Sequence, residues 1–183
     1  AVEAFNAHRA QYGAAVCFAV GHSFGGVLSS LIMARHPRLF QRGVLLDPVL
    51  FTPAMLGVMA LSELVGLSKR PGMAGKALKR RSLWPDRAGA YAALLGRGMF
   101  RGWDDAAFCA YIDNALQDTE HGVALKCRPS READIFASYP RRLWSSLGKV
   151  VTPTQVIYGA RTYPFVARSV ARWSASNAHI STQ

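Results

Sequence analysis

The order of apolar and polar positions spells strand, helix, strand at the start of the chain. Ala14–Val20 (AAVCFAV) is a continuous apolar run that stops at Gly21, the pattern of a fully buried strand. Phe24, Val27, Leu28, Leu31 and Ile32 then recur at helical spacing. His36-Pro37 closes that helix, because a residue before proline avoids the helical conformation. Gly43–Leu46 is a second apolar run, ending at Asp47-Pro48. Strand, helix and strand in so short a stretch make a βαβ unit, which implies a parallel sheet with a right-handed crossover.

From Phe51 to about Lys149 the strand signal disappears. Pro53–Leu67 reads as helix and Ser68–Pro85 as a basic loop. Ala88–Met99 places Tyr91, Leu94, Leu95 and Met99 on one face. Asp104 is placed to N-cap a helix carrying Phe108, Tyr111, Ile112, Ala115 and Leu116. Arg131–Tyr139 is a further helical stretch, stopped by Pro140. Strand character returns at Thr154–Tyr158, and Val166, Val170 and Trp173 mark a last helix. The fold class is therefore α/β: a core over 1–50, a largely helical insertion over 51–149, and core again over 150–183.

Composition narrows this picture. With 183 residues, half of them hydrophobic and 18% charged, the chain can bury a core. No apolar run reaches the ~18–20 residues of a membrane span, so no transmembrane segment is expected. Cys17, Cys109 and Cys127 are too few and too widely spaced for a disulfide framework or a zinc cluster. Cys17 reads as a small core residue, and the setting as reducing and cytoplasmic. Of the net charge of +11, much lies in 69–81, at Lys69, Arg70, Lys76, Lys79, Arg80 and Arg81. No nucleic-acid motif accompanies it, so a solvated face is the reading and no nucleic-acid partner is expected. An attraction for anionic substrates is the sharper alternative.

The chemistry sits at the first strand–helix junction. Gly21-His22-Ser23-Phe24-Gly25 fits G-x-S-x-G, and Gly26 follows. Turning from strand to helix in so few residues strains the serine backbone and brings side chains two positions away into collision, so Gly21 and Gly25 are read as relieving those collisions. Ser23 is then the candidate nucleophile, with His22 supporting the turn. The Phe24 backbone N–H, at the helix start, can donate to a developing oxyanion. The bland alternative is a glycine-rich turn in which Ser23 only caps the helix. A phosphate loop is disfavoured, since neither G-x-G-x-x-G nor G-K-[ST] is present.

GHSFGG after an apolar strand, then LLDP, a helical insertion and PTQVIYG resemble the α/β-hydrolase family with a helical cap. The resemblance runs over nearly the whole chain and implies a partial α/β-hydrolase fold, a parallel sheet flanked by helices. It implies a serine, acid and histidine triad in that chain order, and a small-molecule acyl or ester substrate. A serine rather than an aspartate at the elbow separates it from the dehalogenase and epoxide hydrolase branches. The family commonly carries its acid in a G-x-x-D after the seventh strand, where this chain has Gly159-Ala160-Arg161-Thr162. Threonine cannot supply that charge, so the acid is assigned to Asp47, after the preceding strand. The alternative is that Asp47 starts an Asp-Pro turn. None of His8, His22, His36, His121 and His179 has the context of the family's base. That histidine is expected beyond Gln183, and the early strands before Ala1, in a chain lacking both ends of the complete enzyme. Acyl hydrolysis leads, ahead of C–C bond cleavage or acyl transfer on the same fold and ahead of a non-catalytic relative. No metal or organic cofactor is called for, and nothing sets an oligomeric state.

Overall fold

The computed structural model describes residues 2–12, 15–66 and 72–183. In chain order the elements are α1 (Val2–Tyr12), β1 (Phe18–His22), α2 (Phe24–Arg35), β2 (Arg42–Leu46), α3 (Pro53–Leu64) and α4 (Met73–Leu78). There follow β3 (Leu83–Trp84), α5 (Arg87–Leu94), a 3₁₀ turn (Gly98–Phe100), α6 (Asp105–Ala115), β4 (Leu116–Thr119) and β5 (Gly122–Leu125). The last are α7 (Pro129–Ala137), α8 (Leu143–Leu147), β6 (Thr154–Ile157), α9 (Pro164–Ser176) and β7 (Ile180–Thr182). They fall into two compact units, Ala1–Val65 with Pro140–Gln183, and Gly66–Tyr139. The sequence pattern set the insertion at 51–149, whereas α3 and α8 belong to the first unit.

The first unit is built on a parallel sheet in the order β1-β2-β6-β7. Ala19, Leu45, Val156 and Ile180 alternate onto one face and are buried there. That core continues into Met33 of α2, Leu143 and Leu147 of α8, and Val166, Val170 and Trp173 of α9. Trp173 is fully enclosed, and its indole N–H donates to Leu147 O at 3.0 Å. The opposite face corrects the expectation of a fully buried first strand. Phe18 and Val20 stand 60% and 68% exposed there, although parallel sheets are usually covered on both faces. The strand also begins and ends later than the apolar run, and Ala14 lies outside the described residues. Cys17 is half-buried rather than a core residue.

Capping explains several helix starts. The Thr52 hydroxyl accepts from Met55 N at 3.3 Å ahead of Pro53 in the first turn of α3. Asp104 caps α6 as expected, its carboxylate accepting from Ala106 N and Ala107 N at 2.9 and 3.2 Å.

The second unit holds the largest departure from the sequence reading. Where no strand was expected, β3, β5 and β4 form an antiparallel sheet. These strands are two to four residues long, and β4 (LQDT) shows a single buried position, so no alternation is there to be seen. The stretch read as a basic loop contains α4 and β3, while residues 67–71 lie outside the described residues. The helix over Ala88–Met99 stops at Leu94, leaving Leu95 and Met99 exposed, because Gly96 and Gly98 adopt φ of +64° and +55°.

The unit's core gathers Trp84, Phe100, Phe108, Ile112, Leu116, Val123 and Leu125. The Phe108 ring lies 5.0 Å from Tyr91 and 5.3 Å from Phe100, centroid to centroid. Removing it leaves a cavity among residues already packed, so Phe108→Ala is expected to destabilise the fold by about 3–5 kcal/mol. Urea denaturation checks this, and a loss under about 1 kcal/mol would mean that the core is not assembled as described. Two members of the basic segment are occupied in this unit. Arg80 holds both Glu132 oxygens at 3.1 and 3.2 Å and reaches the Tyr111 hydroxyl at 3.1 Å. Arg81 lies over the Trp84 ring at 5.7 Å. Those contacts give both arginines a structural role in this unit.

Candidate active site

Ser23 is the single residue between β1 and α2, and its backbone sits at φ 52°, ψ −119°. A residue with a β-carbon resists that conformation, at a cost of roughly 1–3 kcal/mol. The surroundings hold it in place. Ser23 N donates to Leu46 O at 2.9 Å, and Ser23 O accepts from Gly26 N at 3.0 Å and Val27 N at 3.3 Å. The side chain makes no capping hydrogen bond to the helix it precedes. That removes the helix-cap alternative and leaves a half-buried hydroxyl without a structural duty at the helix start. Phe24 is the first residue of α2, so its N–H is among the donors a helix cannot use internally.

The glycines carry a correction. A β-carbon on Gly21 would lie 2.5 Å from Gly25 O and 2.6 Å from Ser29 Oγ. On Gly26 it would meet Pro48 Cβ at 2.8 Å, yet on Gly25 it would meet nothing within 4 Å. The crowding therefore falls on Gly21 and Gly26, because the Asp47-Pro48 turn packs against the helix start one residue later than the motif suggests. Gly21→Ala is expected to destabilise by about 2–4 kcal/mol, while Gly25→Ala is expected to change stability by less than about 1 kcal/mol, in the stabilising direction. Thermal melts of the two variants decide it, and a similar loss in both would refute this division.

Asp47 follows β2 as Ser23 follows β1. The strands are parallel, with His22 opposite Leu46, so both residues leave the sheet at the same end, side by side. Asp47 also has positive φ, at 47°. Its N–H donates to Ile157 O at 2.7 Å, tying it to the end of β6. An Asp-Pro turn of the bland kind uses the carboxylate to hold the next backbone N–H groups. Here Val49 N donates to Ser23 O at 3.4 Å and Leu50 N to Pro48 O at 2.8 Å. The carboxylate accepts instead from Thr162, whose Oγ1 lies 2.6 Å from Asp47 Oδ1. Asp47 and the position where the family's acid was sought thus meet, a contact that sequence spacing could not reveal.

The histidines are dispersed. By alternation along β1, His22 belongs to the exposed face with Phe18 and Val20. His36 caps the carboxyl end of α2. His179 precedes β7, its carbonyl accepting from Thr154 N at 2.8 Å at the opposite end of the sheet. His8 is on α1, and His121 is in the β4–β5 turn of the second unit. β7 runs parallel to β6, and Gln183 N donates to Val156 O at 3.0 Å, so the chain leaves β7 at the end where Ser23 and Asp47 lie.

The family model described as "Alpha/beta hydrolase family" matches residues 1–181. This chain belongs to the alpha/beta hydrolase family. Within it, the chain is 36% identical over 86 residues to a protein named Type I acyl-CoA thioesterase mpaH from Penicillium roqueforti (strain FM164). That match takes in 46% of this chain and 18% of the thioesterase. It is 29% identical over 111 residues to the Abhydrolase domain-containing protein AKT2 of Alternaria alternata, covering 60% of this chain and 37% of AKT2. Among solved folds, E-2-(acetamidomethylene)succinate hydrolase superposes with a TM-score of 0.66 at 19% identity, over all of this chain and 62% of that one. The thioesterase domain from the curacin biosynthetic pathway gives 0.62 at 16% identity, over 99% and 62%. This family member therefore spans less than two thirds of the length of these relatives. Among its described residues no helix is long and apolar enough to cross a membrane.

Proposed function

We propose that this chain carries the nucleophile and the acid of a serine hydrolase that cleaves acyl esters or thioesters through an acyl-enzyme. The observation that carries the reading is the strained Ser23 backbone between β1 and α2, with a side chain not spent on the helix. Strain at a single polar residue persists where the surroundings impose it, and it aims the hydroxyl out of the strand–helix turn. Ser23 Oγ attacks the acyl carbon, and the Phe24 N–H donates to the oxyanion that forms. The alcohol or thiol departs with the proton taken from the serine, and water then releases the carboxylic acid from Ser23. Asp47 orients the imidazole that takes the serine proton and stabilises its charged form. We assign that imidazole to a histidine reaching the site from beyond β7, since β7 ends at the same end of the sheet as both residues. Residues 66–139 are read as the cap. The three free cysteines fit a reducing, cytoplasmic setting.

Thioesters come first among substrates, because the 36% identical relative bears the name of an acyl-CoA thioesterase. The test is a panel of acyl-CoA thioesters, p-nitrophenyl esters and a β-diketone as the carbon–carbon substrate, assayed with the full gene product. Turnover that favours the thioester over the ester is expected, with no cleavage of the diketone. Cleavage confined to carbon–carbon substrates would overturn the acyl-hydrolase reading.

A further inference from the structure

We infer that Thr162 is a positioning residue that fixes the Asp47 carboxylate for its partner imidazole, an inference that rests on Asp47 being the acid. The argument starts from the backbone. β2 and β6 are parallel neighbours with Leu46 opposite Ile157, so the segments after them emerge together. On the Asp47 side the chain is pinned through Asp47 N to Ile157 O at 2.7 Å. On the other side, Thr162 N donates to Gly159 O at 2.9 Å, folding Gly159–Thr162 back over the strand end. These bonds fix where both side chains begin. The Asp47 side-chain torsions remain free, and a carboxylate that swings does not hold a histidine.

The Thr162 hydroxyl supplies the missing restraint. An ionised carboxylate only accepts, so at 2.6 Å the Thr162 O–H is the donor. It occupies Oδ1 and leaves Oδ2 to accept from an imidazole N–H. The same geometry accounts for threonine at the position where an acid was sought. A second carboxylate at 162 would lie within hydrogen-bond reach of the first, and two like charges at that distance oppose each other. One strand end provides the charge and its neighbour provides the donor. Thr162 touches no reacting atom in this scheme and acts only through Asp47.

The test compares Thr162→Val, which keeps the shape and removes the donor, with Thr162→Ser, which keeps the donor. Both are made in the full gene product and in an Asp47→Asn background, with ester hydrolysis and thermal melting as readouts. Thr162→Val is expected to lower kcat on the order of ten- to a hundredfold with KM little changed, the rate equivalent of one hydrogen bond to a charged group. Thr162→Ser is expected to stay within about threefold of the parent, and Thr162→Val to add less than about twofold once Asp47 is asparagine. Should T162V fail to fold, T162A takes its place. Full activity in the donor-free variant while Asp47→Asn is impaired would overturn the role of Thr162 alone. So would a loss that is simply additive with Asp47→Asn, since that marks a general structural effect. Unimpaired activity in Asp47→Asn would instead remove the acid assignment on which the inference stands.

Discussion

Replacing Ser23 with alanine is expected to lower kcat/KM for acyl esters by roughly 10⁴–10⁶-fold, with folding intact. The size follows from the chemistry. Without the hydroxyl no acyl-enzyme forms, and what remains is water attack assisted by the oxyanion donors and by binding. The variant should fold because the structural burdens at residue 23 are carried by its backbone. Ser23 N and O make the bonds to Leu46, Gly26 and Val27, and the side chain makes none to the helix. Alanine keeps those bonds and the same β-carbon, so the strain at φ 52° is unchanged. Steady-state kinetics with a thermal melt separate the two effects. A variant that melts like the parent but loses less than about tenfold in rate would show that another residue performs the attack.

Asp47→Asn is expected to cost about 10³–10⁴-fold in kcat, somewhat less than loss of the nucleophile. Asparagine keeps the shape and can still meet the Thr162 hydroxyl, but it carries no charge to stabilise an imidazolium and can present an amide N–H to the ring. The imidazole is then held in the wrong tautomer, or not held. The backbone bonds of Asp47 to Ile157, and of Val49 to Ser23, do not involve the carboxylate, so stability should move little. Pre-steady-state measurement adds a sharper check, because both acylation and deacylation need the base. A burst of product followed by a normal steady rate would contradict the assignment.

How much of this was legible in the sequence depended on the length of each signal. The helices starting at Phe24, Pro53 and Asp105 were readable because apolar spacing and a start or stop residue agreed. So were the strands through Val44 and Val156, whose apolar runs end at Asp47 and Gly159. The second unit's sheet was not readable, since Leu83–Trp84 and Gly122–Leu125 are too short to show a period and are held by pairing with each other. β7 failed for the same reason, with one buried residue, Ile180, in three.

The site divides similarly. The proposed nucleophile, Ser23, could be picked out because its motif lies in adjacent residues between a strand and a helix. The proposed acid, Asp47, could be picked out only because Thr162 stands at the usual place. The Thr162–Asp47 contact at 2.6 Å joins residues far apart in the chain and follows from the β2–β6 register, which no local pattern contains. The steric need at Gly26 was missed likewise, because the atom it avoids belongs to Pro48, across the turn after the next strand.

The central claim is that Ser23 is the nucleophile, and the most direct measurement is to trap it. The full gene product would be treated with a fluorophosphonate, followed by intact mass spectrometry and peptide mapping. The account predicts one adduct per chain, on the peptide bearing Gly21-His22-Ser23-Phe24-Gly25, and none in Ser23→Ala. An adduct that persists in Ser23→Ala, or a folded and esterolytically active protein that takes up no label, would contradict it.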